Sequence, residues 1–234
     1  MTNVPAILLA GGLGTRLLEV TNDQIPKSLV EVAGKPIIQH VLDNLRSAGV
    51  KEVCLAVGHK SEAIQTEFGD RYQNMEITYS IEDAPRGTGG AAFLAASRKV
   101  WNTALVLNSD TYVGVPLQEL TSKLTSDIVA VVLATSVPDV SRYGALKVDE
   151  DNVVGFGEKT SYGPGLIYAG VALINFSIVP EQLLVSLTRF SLENDVLAPL
   201  AKMGKLKFFE SKSKFIDVGT PESFQESQKL LSHD

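Results

Sequence analysis

Apolar residues follow two rhythms along this chain. In the first half, short unbroken apolar runs alternate with segments whose apolar residues recur every three or four positions. The runs Val4–Ala10, Glu52–Val57, Met75–Ser80, Ala104–Asn108 and Ile128–Ala134 predict buried strands. Pro36–Ala48 carries Ile37, Ile38, Val41, Leu42 and Leu45 at helical spacing, and Gly49 follows as a stop. Ser61–Phe68, the alanine-rich Gly89–Lys99 and Leu117–Leu124 predict three more helices. Alternation of this kind predicts an α/β fold: a mostly parallel sheet covered by helices on both faces.

The second half has a different pattern. Ala145–Val148, Val153–Gly157 and Ile167–Ile174 read as strands joined by short turns, an antiparallel section added to the same sheet. Val179–Leu187 and Ser191–Met203 read as helices, Lys205–Glu210 and Lys214–Asp217 as short strands. Pro221–Leu231 closes the chain as a helix with proline in its first turn. No linker, repeat or low-complexity tract interrupts the pattern. Residues 1–234 are therefore expected to form a single domain, with 1–135 and 136–234 as its two halves.

Composition narrows the classes. With 44% hydrophobic and 21% charged residues, a chain of 234 residues can bury a full core unaided. Its single cysteine, Cys54, lies inside the apolar run Val53–Val57 and reads as a buried structural thiol. No intrachain disulfide is possible, which suits a reducing compartment. The N-terminus lacks the basic segment of a secretion signal, and no apolar run approaches the ~20 residues that span a bilayer. A cytoplasmic protein without membrane contact is expected. The net charge is −6 and no lysine–arginine cluster occurs, so nucleic acid is a poor partner. Phosphates can be held only locally, by backbone amides, a few cations and metal.

In open α/β sheets ligands lie beyond the carboxyl ends of the strands. Here those ends carry Gly11–Arg16, Glu82–Gly90 and Asn108–Asp110, so the chemically interesting residues share one rim. The first of them stands in LLAGGLGTRL. A dinucleotide turn would need a third glycine where Leu17 stands, and a P-loop would need its second glycine at Arg16 or Leu17. What remains is G-G-x-G-T-R, followed by Lys27 eleven residues after Arg16 (27 − 16) in the sequence Ile-Pro-Lys.

An apolar strand, GGLGTRL and a downstream Pro-Lys together resemble the sugar-1-phosphate nucleotidyltransferase family. The resemblance runs from Ala6 to about Phe224 and implies a nucleotide-diphospho-sugar transferase (GT-A-like) fold, Rossmann-like in its first half. It implies that 1–135 binds the nucleotide and 136–234 the sugar phosphate. The nucleotide loop would be Leu9, Ala10, Gly11, Gly12, Gly14 and Thr15, whose glycines let amides close on phosphate oxygens. Arg16 would sit on the β- and γ-phosphates that leave as pyrophosphate. Lys27 would meet the α-phosphate; without the glycine loop it would read as a solvated lysine. Ser28 departs from the proline, glutamine or alanine common after that lysine, with little consequence expected.

Asp110, in Asn-Ser-Asp-Thr, and Asp217, in FIDVGTP, would hold Mg²⁺ across 107 residues of sequence (217 − 110). For Asp217 the alternative is a turn or helix-capping residue. Glu82, Gly87 and Thr88 correspond to the loop that receives the base. An ionised carboxylate only accepts hydrogen bonds, so Glu82 suits guanine best, with uracil second and adenine poor. On the sugar side the resemblance offers Gly144 of Arg-Tyr-Gly, the pair Glu158 and Lys159, and Glu193 of Ser-Leu-Glu. Helix capping is an equal reading of Glu193. Tyr168 stands where relatives often have asparagine, and no sugar contact is assigned to it.

The blocks YSIEDAPRGTGGA, RYGAL, FSLE and FIDVGTPE point within the family to guanylyltransferases of D-glycero-α-D-manno-heptose 1-phosphate. Guanylyltransferases of mannose 1-phosphate and short uridylyltransferases compete with that reading. The expected partners are GTP and a sugar 1-phosphate, the expected cofactor is Mg²⁺, and a homo-oligomer is left open. Family members that carry a C-terminal β-helix continue further than this chain, so no second activity is expected. A glycosyltransferase would need no GGLGTR and lysine. A nucleotide-sensing regulator would not need Arg16, Lys27, Asp110 and Asp217 together.

Overall fold

The computed structural model describes residues 4–12, 14–21, 25–158, 162–184 and 188–232. In chain order its strands and α-helices are β1 (Ala6–Leu9), α1 (Leu18–Thr21), β2 (Glu31–Val32), β3 (Lys35–Pro36), α2 (Ile37–Ser47), β4 (Glu52–Val57), α3 (Ser61–Phe68), β5 (Arg71–Tyr72), β6 (Met75–Ile81), α4 (Gly87–Lys99), β7 (Thr103–Asn108), β8 (Thr111–Val113), α5 (Leu117–Lys123), β9 (Ala130–Val137), β10 (Leu146–Asp149), β11 (Asn152–Phe156), β12 (Gly165–Asn175), α6 (Ala198–Lys202), β13 (Leu206–Glu210), β14 (Phe215–Asp217) and α7 (Pro221–Leu231).

Ten strands form one sheet in the order β10-β11-β13-β9-β12-β7-β1-β4-β6-β5. β7, β1, β4 and β6 run parallel, as the alternating first half predicts. β12 is antiparallel to both β7 and β9 and joins the second half to the first. β10 and β11 add the expected antiparallel section, and β13 returns parallel to β9.

Successive residues of β1 point to opposite faces, and each face is covered. Ala6 and Leu8 pack with Ile38, Val41, Leu42 and Leu45 of α2 and Ile64 of α3. Ile7 packs on the other face with Cys54 and with Ala92, Ala95 and Ala96 of α4. Burial on both faces explains why these strands read as continuous apolar runs. Cys54 is 1% exposed and its thiol is pushed up in pKa by burial, as a structural thiol would be.

Two expected helices differ. Over Val179–Leu187 the described residues form only a short 3-10 turn, Glu181–Leu183. Leu183 and Leu184 pack on the core from this turn. Ser191–Met203 begins as a π-turn, Leu192–Leu197, before α6. Pro199 lies four residues beyond Asp195 and has no amide to give it, so the regular ladder cannot run through. The Ala198 N–H donates to the Glu193 carbonyl instead, one residue further back. The β2–β3 hairpin, the edge strand β5 and the short β8 were not expected.

Candidate functional site

The carboxyl ends of β1, β4, β6 and β7 open onto one cavity of about 850 Å³. In-register pairing puts them there: Leu9 stands opposite both Ala56 and Asn108, and Val57 stands opposite Ile81. Of the residues singled out in the sequence, Leu9, Gly11, Gly12, Gly14 and Thr15 line it from one side. Glu82, Gly87, Thr88 and Asp110 line it from the others. Ala10 is buried behind the loop, its N–H donating to the Ala56 carbonyl at 2.8 Å.

The glycine loop is shaped by its neighbours. Gly14 has φ +62°, and a side chain there would stand 3.0 Å from the Lys27 Cβ. The loop then enters a single 3-10 turn, Thr15–Leu17. Leu17 is fully buried in a small apolar cluster with Ile37, Ile216 and Val218, which leaves Arg16 exposed beside it. Ser28 follows Lys27 inward. Its hydroxyl is buried and has no hydrogen-bond partner among the described residues. Ser28→Ala is expected to raise stability by about 1 kcal/mol, because a stranded buried hydroxyl costs more than it returns. Chemical denaturation that shows a loss of stability would overturn this account.

Asp110 lies in the turn between β7 and β8 and forms an ion pair with Lys27; their side chains are 22% and 13% exposed. β8 and β14 then solve the long-range problem. They pair antiparallel with Asp217 opposite Thr111, and the Val218 N–H donates to the Asp110 carbonyl at 3.0 Å. Asp217 is thereby set beside Asp110. Burial, and then the negative charge of Asp110, push its carboxyl above the usual range, against the pull of Lys27, Arg142 and Arg16. Arg142 Nη2 donates to Asp217 Oδ2 at 3.0 Å. The capping alternative for Asp217 does not hold: helix α7 is capped by Thr220 and Ser223 in a reciprocal pair.

Glu82 extends from β6 over the glycine loop. Its Oε1 accepts the Arg86 N–H at 3.0 Å, and its Oε2 is 3.1 Å from where a Gly11 side chain would begin. A side chain on Gly58 would begin 3.7 Å from the same oxygen. Burial holds the Glu82 carboxyl above its ordinary range, while the Arg86 amide and charge pull it down.

The sugar-side residues lie outside the cavity lining. Gly144 is buried with φ +85° and donates its N–H to the Val140 carbonyl at 2.8 Å. Tyr143 beside it packs edge-on to Phe215 of β14, with the Arg142 guanidinium 5.2 Å over its ring. Arg-Tyr-Gly thus delivers Arg142 to Asp217. Glu158 is exposed just beyond β11, and Lys159 lies outside the described residues. Glu193 stands in the π-turn, where its charge, after burial, helps to raise the Tyr168 hydroxyl. In the same turn Ser191 Oγ accepts the Asn194 N–H, and Asp195 accepts the Ser191 N–H at 2.7 Å.

Three residues were passed over in the sequence, and a fourth, Arg142, was seen only as part of Arg-Tyr-Gly with no role given to it. Gly58 and His59 line the cavity after β4, and Arg189 lines it from the second half. Arg142 completes the charge cluster. Gly58 and His59 could have been found, since they follow a predicted strand on the same rim. Arg189 carries no local signal, and the Arg142 contact with Asp217 could not be read from its motif, because only packing between distant segments brings them in.

Parallel strands, a glycine-lined cavity and a cation–carboxylate cluster at the strand ends define a phosphate-handling α/β enzyme. The profile of the nucleotidyl transferase family matches residues 5–233, and the chain belongs to that family. It is 34% identical over 229 residues to D-glycero-alpha-D-manno-heptose 1-phosphate guanylyltransferase from Aneurinibacillus thermoaerophilus, covering 97% of this chain and 98% of that one. The enzyme of the same description from Campylobacter jejuni is 38% identical over 94% of this chain and 96% of its own. The crystal structure of HddC from Yersinia pseudotuberculosis complexed with GMP-PN superposes with a TM-score of 0.81. It is 32% identical and covers 97% of this chain and 99% of that one. Among the described residues, no helix is long and apolar enough to cross a membrane.

Proposed function

We propose that this chain transfers GMP from GTP to D-glycero-α-D-manno-heptose 1-phosphate, giving GDP-heptose and pyrophosphate in the cytoplasm. One observation carries this reading. The β8–β14 ladder gathers Asp110, Asp217, Lys27 and Arg142 beside a cavity that has glycine amides along one side and the Glu82 carboxylate on another. The relatives described as heptose 1-phosphate guanylyltransferases cover nearly the full chain and support the choice of substrates.

In the reaction a phosphate oxygen of the sugar 1-phosphate attacks the α-phosphorus of GTP. The bond to the β-phosphate oxygen breaks on the opposite side, and its electron pair leaves with pyrophosphate. The attacking oxygen is already ionised at neutral pH, so no general base is required. Catalysis is placement and charge neutralisation. The glycine amides and Arg16 take the departing β- and γ-phosphates, and Lys27 takes the α-phosphate. Lys159 serves the sugar phosphate, Glu158, Gly144 and Glu193 the sugar, and Arg189 adds a cation at the cavity wall.

Asp110 and Asp217 fit a divalent metal. They are two hard oxygen donors forced together, and among the described residues no third acidic, histidine or cysteine side chain completes a cage. That donor set suits Mg²⁺, which binds through one or two carboxylates and leaves the other positions to phosphate and water. When bound, the ion would neutralise charge shared by the two phosphates.

A grid of nucleoside triphosphates against sugar 1-phosphates, scored by pyrophosphate release, tests the proposal. GTP with the heptose 1-phosphate should turn over fastest. Preference for UTP, or for mannose 1-phosphate, would replace it.

Glu82 makes a sharper prediction. Guanine presents two adjacent donors, which an ionised carboxylate accepts together. Glu82→Gln should raise the KM for GTP by about 10–100-fold, the scale of one lost charged hydrogen-bond pair, and improve use of UTP relative to GTP. The raised carboxyl pKa fixes the sign with pH. GTP binding is full above that pKa and falls as the pH drops through it, so its acid limb lies above the ordinary glutamate range. Glu82→Gln should abolish that limb, and an unchanged profile would exclude Glu82 as the base acceptor.

A further inference from the structure

The motif Gly87-Thr88-Gly89-Gly90 opens α4, and its surroundings show why it is nearly bare. A side chain on Gly87 would stand closer than 3.0 Å to the Phe190 carbonyl oxygen, and one on Gly89 would strike the Phe190 ring. The Gly89 N–H donates to the Phe190 carbonyl at 3.0 Å, and the Phe190 N–H donates to the Arg86 carbonyl at 2.9 Å. The Leu192 N–H donates to Thr88 Oγ1 at 2.9 Å. Phe190 is held from behind by Phe93 of α4, edge-on at 5.7 Å. The first turn of α4 is therefore a seat for the segment Phe190–Glu193, which lies about a hundred residues further on (190 − 88 = 102).

The seat has a second consequence. The Arg86 N–H holds Glu82, and its carbonyl holds Phe190. One short stretch of backbone thus fastens the residue assigned to the base and the segment that ends in Glu193, assigned to the sugar. The Thr88 hydroxyl is the side-chain link between them. Glu193 follows Leu192 directly, so the anchor lies one residue from the group it places.

We propose that Thr88 is a positioning residue for the sugar 1-phosphate: by accepting the Leu192 N–H it sets Glu193, although Thr88 itself belongs to the base loop. This rests on the reading of Glu193 as a sugar-side residue. Thr88→Val keeps the shape of the side chain and removes the acceptor, leaving the Leu192 amide without a partner. The expected result is a KM for sugar 1-phosphate raised about tenfold, with any rise in the KM for GTP clearly smaller. Thr88→Ser, which restores the acceptor, should recover the wild-type values.

Deuterium exchange at the Leu192 amide gives a readout independent of turnover. It should speed up in Thr88→Val and return to normal in Thr88→Ser. A rise in the GTP KM alone would make Thr88 a nucleotide ligand and overturn the proposal, as would unchanged exchange at Leu192. Glu193→Gln separates the two levels. If it leaves the sugar 1-phosphate KM unmoved, the assignment of Glu193 fails and takes the inference with it. If it raises that KM and Thr88→Val does not, the inference alone fails.

Discussion

Asp110→Ala is expected to lower turnover by about a thousandfold, with Arg16→Ala in the same range, since each removes charge stabilisation at the transferring phosphates. The two act at different places. Asp110 fixes Lys27 through their ion pair and, with Asp217, supplies the oxygen donors of the cluster. Arg16 stands on an exposed turn whose neighbour Leu17 is anchored in the core. On the proposed reading it serves the leaving group, not the acceptor.

Stability should hardly follow activity. Arg16 is exposed, so its loss should change stability by no more than about 0.5 kcal/mol. Asp110→Ala strands Lys27 but also removes a like charge from beside Asp217. The net effect should be about 1 kcal/mol, or about 2–4 °C in Tm for a chain of this size. Single-turnover pyrophosphate release and thermal unfolding check both halves of the statement. A variant that reacts at a near-wild-type rate removes its residue from the mechanism. Arg16→Ala should also slow the reverse reaction, because pyrophosphate is then the group it must hold.

The largest effect on stability is expected from Gly87→Ala. Gly87 has φ +73°, a conformation that costs an L-residue about 1–2 kcal/mol. The added methyl also meets the Phe190 carbonyl and must displace backbone, which adds about 1–3 kcal/mol. The expected loss is about 2–5 kcal/mol. Gly204→Ala is the comparison: φ is +67°, and nothing lies within 4 Å of the new methyl. It should show the conformational cost alone. Urea unfolding of the two variants isolates the contact with Phe190. Equal losses would mean that the segment after Arg189 is not seated on α4 as described.

Much of the fold was legible because it is local. Buried parallel strands are continuous apolar runs, and helices that cover them repeat every three to four residues, so the βα units of the first half could be placed nearly to the residue. The failures were local conflicts that a periodicity cannot see. Pro199 breaks the ladder of a segment that otherwise reads as one helix. Over Val179–Leu187 the described residues make only the 3-10 turn Glu181–Leu183, from which Leu183 and Leu184 pack on the core. Short pairings such as β2 with β3 carry too few residues to show alternation.

The candidate site divides in the same way. The amino-acid sequence alone determined that a glycine loop, a carboxylate-bearing loop and Asp110 would share one rim, because parallel strands must end on the same side. It also determined which chemistry the rim could support, since bare backbone, arginine, lysine and aspartate are suited to phosphate. Only the tertiary structure decided what sits beside what. The β8–β14 ladder brought Asp217 to Asp110, and the packing of Tyr143 on Phe215 brought Arg142 to Asp217. The seating of Phe190 on three glycines tied Thr88 to the segment of Glu193. Those contacts join residues far apart in the chain, and their energies come from surfaces that exist only once both partners have folded.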